Sequence, residues 1–246
     1  MSQALRDYYT QIQQKLGALA QQQATIDSAA GLMLESVTQG RNLFVFGASH
    51  AGILAEEMSY RAGGLAIVNP LFSAALMLNV RPLTLTSAVE NVEGLGRVLV
   101  EASPLQRGDT LLIHSVSGRN AITIDVALAA RERGVSLVAI TSLATAAQVT
   151  SRHSSGKLLA DLADVTLDNH CDYGDAAVSL PGMAQKVAPL STIMGATLAN
   201  SLVLRLCEMM LARGQVPPVL ASANIDGNQQ INKDIMASWC DQIHYL

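Results

Sequence analysis

Cysteine is scarce in this chain, basic residues form no block, and the start carries no uninterrupted apolar stretch. Cys171, Cys207 and Cys240 are odd in number and widely spaced, which argues against a disulfide framework or a cysteine-held metal and suits reduced thiols. The 16 Lys and Arg are scattered against 20 Asp and Glu, for a formal charge of -4, so nothing here would neutralise a nucleic-acid backbone. The opening MSQALRDYYTQIQQ places charges and glutamines where a signal peptide would be apolar, and a cytoplasmic location is expected. What is abundant is apolar side chain: 50% of 246 residues, enough for one sizeable core.

One apolar stretch, Leu190 to Leu211, approaches the length of about 20 residues that a membrane span needs. Thr197, Asn200, Ser201, Arg205 and Glu208 interrupt it, so the expectation is a helix hidden from water in a core or subunit interface, with no membrane partner. At the other end, Leu5, Tyr9, Ile12, Leu16, Leu19, Gln23, Ile26, Ala30, Met33 and Val37 follow a four-three spacing, the seam of a long amphipathic helix or helix pair that Gly17 and Gly31 weaken. That stripe would pack either across the main domain or against a second copy of the chain.

Between them, short apolar runs alternate with helical stretches. The runs Leu43 to Phe46, Leu65 to Val68, Thr110 to His114, Ser136 to Ile140 and Asp164 to Leu167 read as five strands bounded by turn residues such as Gly40, Gly108-Asp109 and Gly134. The expectation is an α/β fold: a three-layer, doubly wound parallel five-stranded sheet in the flavodoxin-like order 2-1-3-4-5. The helix of Ala121 to Arg133 is the clearest, stopped by Gly134. Residues 1–40 read as a helical arm, 41–214 as the main domain, and 215–246, after Pro217-Pro218, as a tail with a short helix containing Trp239.

Two turns carry the chemistry. The first strand runs into Gly47-Ala48-Ser49-His50-Ala51-Gly52 and a helix from Ile53 to Arg61; the third runs into Ser115-Val116-Ser117-Gly118-Arg119-Asn120 and a helix. Each arrangement turns backbone N–H groups and a positive helix end toward one spot, which favours an anion, although Gly and Ser also simply cap helices. In the 2-1-3-4-5 order both turns flank the switch-point crevice and become one site, with Ser142 after the fourth strand beside them. The first turn also approaches the dinucleotide fingerprint, but Ser49 replaces its middle glycine and the second strand ends in Asn69-Pro70 without a ribose-binding acid. It equally approaches a nucleophile elbow, with Asp226 and His244 following in order, a reading that leaves the second turn unexplained.

From Arg41 to Gly214 the sequence resembles the SIS (sugar isomerase) domain family of phosphosugar isomerases and phosphosugar-sensing modules. The carrying segment is Leu112-Ile113-His114-Ser115-Val116-Ser117-Gly118-Arg119-Asn120, similar to the family's apolar strand followed by S-x-S-G-x-T with Asn120 for the threonine. The runs Ala139 to Ser142 and Ser151 to Lys157 resemble a subgroup likened to phosphoheptose isomerase. The resemblance implies a phosphorylated sugar as ligand and a homodimer or homotetramer with its site near the subunit interface, while the cysteine spacing and the imperfect dinucleotide fingerprint leave no metal and no cofactor expected. Ser49, Ser115, Ser117, Gly118, Arg119, Asn120 and Ser142 would hold the ligand and its phosphate. In the first turn Ser49 and Ala51 depart from the family's G-x-G-x-S.

No helix-turn-helix is evident before the domain, so an enzyme, first an aldose–ketose isomerase, or a partner-bound sensor fits better than a transcription regulator. A non-catalytic sensor module and a deglycase are the other readings. For isomerisation, Glu57 in the pair Glu56-Glu57 resembles the acidic helix position of phosphoheptose isomerase and is the expected base. His50 and His153 are the expected acid–base or hydroxyl partners, with Lys157, Lys186, Asn224 and Asp226 as weaker contacts.

Overall fold

Ser2 begins the order in the computed structural model, which describes Met1–Leu246, by accepting from the Leu5 amide as the N-cap of α1 (Gln3–Leu19). A 3-10 turn at Ala20–Gln22 separates it from α2 (Gln23–Thr38), so the arm is a helix pair whose break falls at neither glycine. Ala29, Ala30, Met33, Leu34 and Val37 bury the face of α2 within the fold, whereas Leu5, Tyr9 and Leu16 of α1 stay exposed.

The main domain then runs β1 (Leu43–Gly47), α3 (Ile53–Met58), β2 (Val68–Pro70), α4 (Leu85–Val89), α5 (Leu95–Ala102), β3 (Thr110–His114), α6 (Ala121–Glu132), β4 (Ser136–Thr141), α7 (Leu143–Ala146), α8 (Leu159–Leu162) and β5 (Val165–Asp168). All five strands pair in parallel in the order β2-β1-β3-β4-β5, as the sequence predicts. Strand periodicity divides the core cleanly. Leu43, Val45, Leu112, Val138 and Ile140 face α2 and α3 on one side, while Phe44, Phe46, Leu111, Ile113, Leu137 and Ala139 face α5, α6 and α8 on the other.

Three segments depart from expectation. The second strand begins at Val68, because Leu65 bridges Val219 and the Ala66 amide donates to Pro218, which binds the earlier part of that run to the C-terminal tail. The helix after the first turn stops at Met58, where Ser59 becomes extended and Tyr60 takes a positive φ of 44°. An antiparallel hairpin, β6 (Ala176–Val178) and β7 (Val187–Pro189), also precedes the long apolar helix.

That helix, α9 (Ser191–Ala212), is long and apolar enough to cross a membrane, yet one face lies in the core through Met194, Leu198, Leu202, Leu206 and Met210. Arg205 bonds Asp27 of α2 at 2.6 Å and Glu208 at 2.9 Å. Within the single chain Ile193, Leu204 and Leu211 stay exposed, so the core covers one face of the helix and leaves the other open. The tail forms α10 (Asn228–Ser238), with Trp239 as its C-cap, and the three cysteines are free. Burial pushes the Cys171 thiol up to about 12, an inert core group.

Candidate functional site

Gly47 closes the first turn tightly: a Cβ there would collide with the Ala51 carbonyl. The chain reaches this bend by putting Ser49 in the left-handed region at φ 55°, which projects His50 toward solvent at the cavity edge. The Ser49 hydroxyl lies 3.1 Å from that of Thr86 on α4.

The second turn is fixed from several directions. The Ser115 amide donates to Ile140, its Oγ accepts from the Gly118 amide at 3.2 Å, and the Gly118 carbonyl accepts from Leu159 at 2.8 Å. Gly118 has φ 61°, and a Cβ there would press at 3.1 Å on Leu159. With the turn held this way, the amides of Val116, Ser117, Arg119 and Asn120 find no acceptor in the chain. They stand at the N-terminus of the 12-residue α6, whose dipole adds positive potential at the same place.

β1 and β3 are neighbours, so both turns line one cavity of about 480 Å³. A buried histidine joins them. His114, the last residue of β3, is 1% exposed, and its Nδ1 lies 3.0 Å from the Ala51 carbonyl of the first turn. As donor in that contact, the ring keeps Nε2 unprotonated and without a partner. Burial holds its pKa below the ordinary histidine value, against the opposing pull of the Ala51 carbonyl and Asp175.

Of the expected residues, Ser49, His50, Ser115, Ser117, Arg119 and Asn120 line this cavity, and Gly118 shapes the turn. Three others are placed elsewhere. Ser142 is fully buried and caps α7, accepting from the Thr145 amide at 3.0 Å and donating to the Cys171 carbonyl. Its hydroxyl is therefore committed to the fold, a correction to its expected place at the phosphate. Glu57 pairs with Arg61 and accepts from Asn200 at 3.3 Å, away from the lining. His153 points to Asp125 of α6 at 3.1 Å, and that carboxylate also accepts from the amides of Gly94 and Gly96. Beside it, Glu93 takes the amide and hydroxyl of Ser154, so the segments around residues 93 and 153 are fastened together.

Lys157, Asn224 and Asp226 are exposed outside the lining, and Lys186 borders a separate cleft with Lys15 and His170. His244 bonds Asn42 at the opposite end of β1 from Ser49, which dismantles the nucleophile-elbow constellation.

The cavity also gathers Glu90, Thr145 and Asp175, which the motifs did not indicate, and Arg152 from the 151–157 run. Asp175 accepts from the Leu190 and Ser191 amides and the Ser191 hydroxyl, anchoring the start of α9. Arg152 reaches Asn120 Oδ1 at 3.0 Å. Glu90 is half-buried, and desolvation raises its carboxyl above the ordinary range despite a hydrogen bond from Asn120 and the charge of Arg152. A carboxyl with a raised pKa at the edge of an anion cradle is placed to take and return a proton.

Known proteins share this sequence and architecture. The family model described as "SIS domain" matches residues 7–142, a span that takes in most of α1, all of α2 and ends after β4. The chain is 46% identical to a UPF0309 protein of Shouchella clausii, and 47% identical to one of Oceanobacillus iheyensis. Each alignment covers 98% of this chain and 99% of the relative. Among solved structures, a phosphoheptose isomerase from Neisseria gonorrhoeae superposes with a TM-score of 0.52 at 19% identity, over 85% of this chain and 97% of that one. Another from Francisella tularensis gives 0.53 at 16% identity, over 82% and 95%. At such identities these two share the fold.

Proposed function

Because the chain belongs to the SIS domain family and to the UPF0309 family, we propose that its cavity holds a phosphorylated sugar, phosphate over the Val116–Asn120 turn, and isomerises it. The observation that carries this reading is the set of four turn amides without an acceptor, flanked by the Ser115 and Ser117 side chains and Arg119. Phosphate oxygens supply the missing acceptors, and hydrogen bonds to a charged group are among the stronger ones.

With the phosphate anchored there, the carboxylate that faces the sugar is Glu90. In the aldose-to-ketose direction Glu90 takes the proton from C2, and His50 gives a proton to O1 and receives the one from O2. Glu90 then returns its proton to C1, so the sugar is isomerised with no oxidant. Glu57 and His153 are each held by partners outside the cavity, so this reading gives their expected roles to Glu90 and His50.

The test is calorimetric titration with inorganic phosphate and a panel of sugar phosphates, followed by incubation in heavy water. Ser117→Ala should weaken phosphate binding about tenfold, the order expected for one hydrogen bond to an anion. Glu90→Gln should keep that binding and lose about 10²–10⁴-fold in deuterium incorporation at C1 of the ketose product. Absence of phosphate binding in the wild type would remove the reading. Binding without exchange for any sugar would leave the non-catalytic sensor in its place.

A further inference from the structure

We propose that Thr145 is a specificity residue whose hydroxyl, with the Nε–H of Arg119, binds hydroxyls of the sugar. The inference rests on the phosphosugar reading and deepens it, because it places recognition of the sugar body on Thr145, after β4, and on the side chain of Arg119 beside the phosphate turn. Thr145 lies on α7, outside both anion-binding turns, and is 5% exposed. Its amide is held by the Ser142 cap, which fixes the residue against the cavity wall. Its Oγ1 nevertheless has no hydrogen-bond partner, and neither does the buried Nε of Arg119 in the same cavity.

An unmatched buried polar group is costly, and native chains keep few of them. Two such groups facing one cavity, one an obligate donor and one able to donate or accept, match a ligand with hydroxyls on adjacent carbons. The Arg119 N–H would donate to one sugar oxygen, and the Thr145 hydroxyl would take either role with its neighbour. A bare phosphate seated on the turn amides would use neither group in this way.

Thr145→Val removes the oxygen while keeping the shape of the side chain, and Thr145→Ser restores the oxygen. For a hexose 6-phosphate, Thr145→Val should bind about tenfold more weakly than the wild type, with Thr145→Ser within threefold of the wild type. Affinity for inorganic phosphate should stay within twofold in both variants. Because no group of the chain matches this hydroxyl, Thr145→Val should also melt at or above the wild-type temperature, a gain in stability joined to a loss in binding.

Equal losses for phosphate and hexose phosphate, or no loss for either, would overturn the assignment while the phosphate cradle stood. A wild type that bound no phosphate would overturn the cradle and this inference together. Should Thr145→Val fail to fold, a loss confined to the hexose phosphate in Thr145→Ala supports the assignment and a shared loss overturns it.

Discussion

His114 titrates in a place where charge cannot be tolerated. Its buried ring is neutral, and burial depresses its pKa in the folded state. A base with a depressed folded pKa contributes stability that is complete above its unfolded value of about 6.5. That stability is lost as pH falls through the folded value, because the unfolded chain takes the proton first. Melting temperatures of wild type and His114→Asn between pH 5 and 8 should therefore converge as pH falls, and a constant gap would contradict this account.

Glu90 has the opposite sign. Its raised pKa keeps it protonated to higher pH than an ordinary glutamate, so the acid limb of any exchange rate should lie above about 4.3. A limb at or below that value would exclude Glu90 as the base. The turn residues Ser115, Ser117 and Arg119 were legible because a strand, small residues and a helix start are local signals. Ser142 had a local signal of another kind, since a serine three residues before Thr145 at a helix start is a cap. Glu90 gave none: it belongs to an irregular stretch, and its burial exists only after α6 and the 151–157 segment close around it.

Helices α5 and α6 meet with almost no side chain between them at one point. A Cβ on Gly96 would lie 2.5 Å from both the Asp125 Cβ and the Ile122 carbonyl oxygen. Gly96→Ala should therefore destabilise by more than about 2 kcal/mol, as overpacking against backbone does, despite the better helix propensity of alanine. Denaturant midpoints read this directly, and a neutral result would mean that α5 slides freely. Four of the five strands were legible in place because each is an apolar run bounded by turn residues. β2 was misplaced because apolar content cannot distinguish pairing with β1 from packing against the tail. β6 and β7 escaped notice because three-residue strands carry too little alternation to register. The helix pair at the start was legible as a stripe, but the stripe could not say which half the sheet would cover.

The assembled molecule leaves an apolar line on α9, through Ile193, Leu204 and Leu211, on the side turned from its core. This is where a second copy would close the homodimer or homotetramer proposed from the sequence. Light scattering should give at least twice the mass of the chain, and Leu204→Lys, at a position 64% exposed, should halve it without lowering single-chain stability. A monomeric wild type would refute the proposal. A ligand at one hundred times its dissociation constant should add about 2.7 kcal/mol to the stability of the whole fold. The Asp125 carboxylate has a wider reach than its position on α6 suggests, since it grips Gly94, Gly96 and His153 at once. Glu90 and Arg152 stand on the two segments it joins, so both margins of the mouth inherit their spacing from one acid. Evolution could hardly retune either margin alone: any change at that acid would be transmitted to the pair.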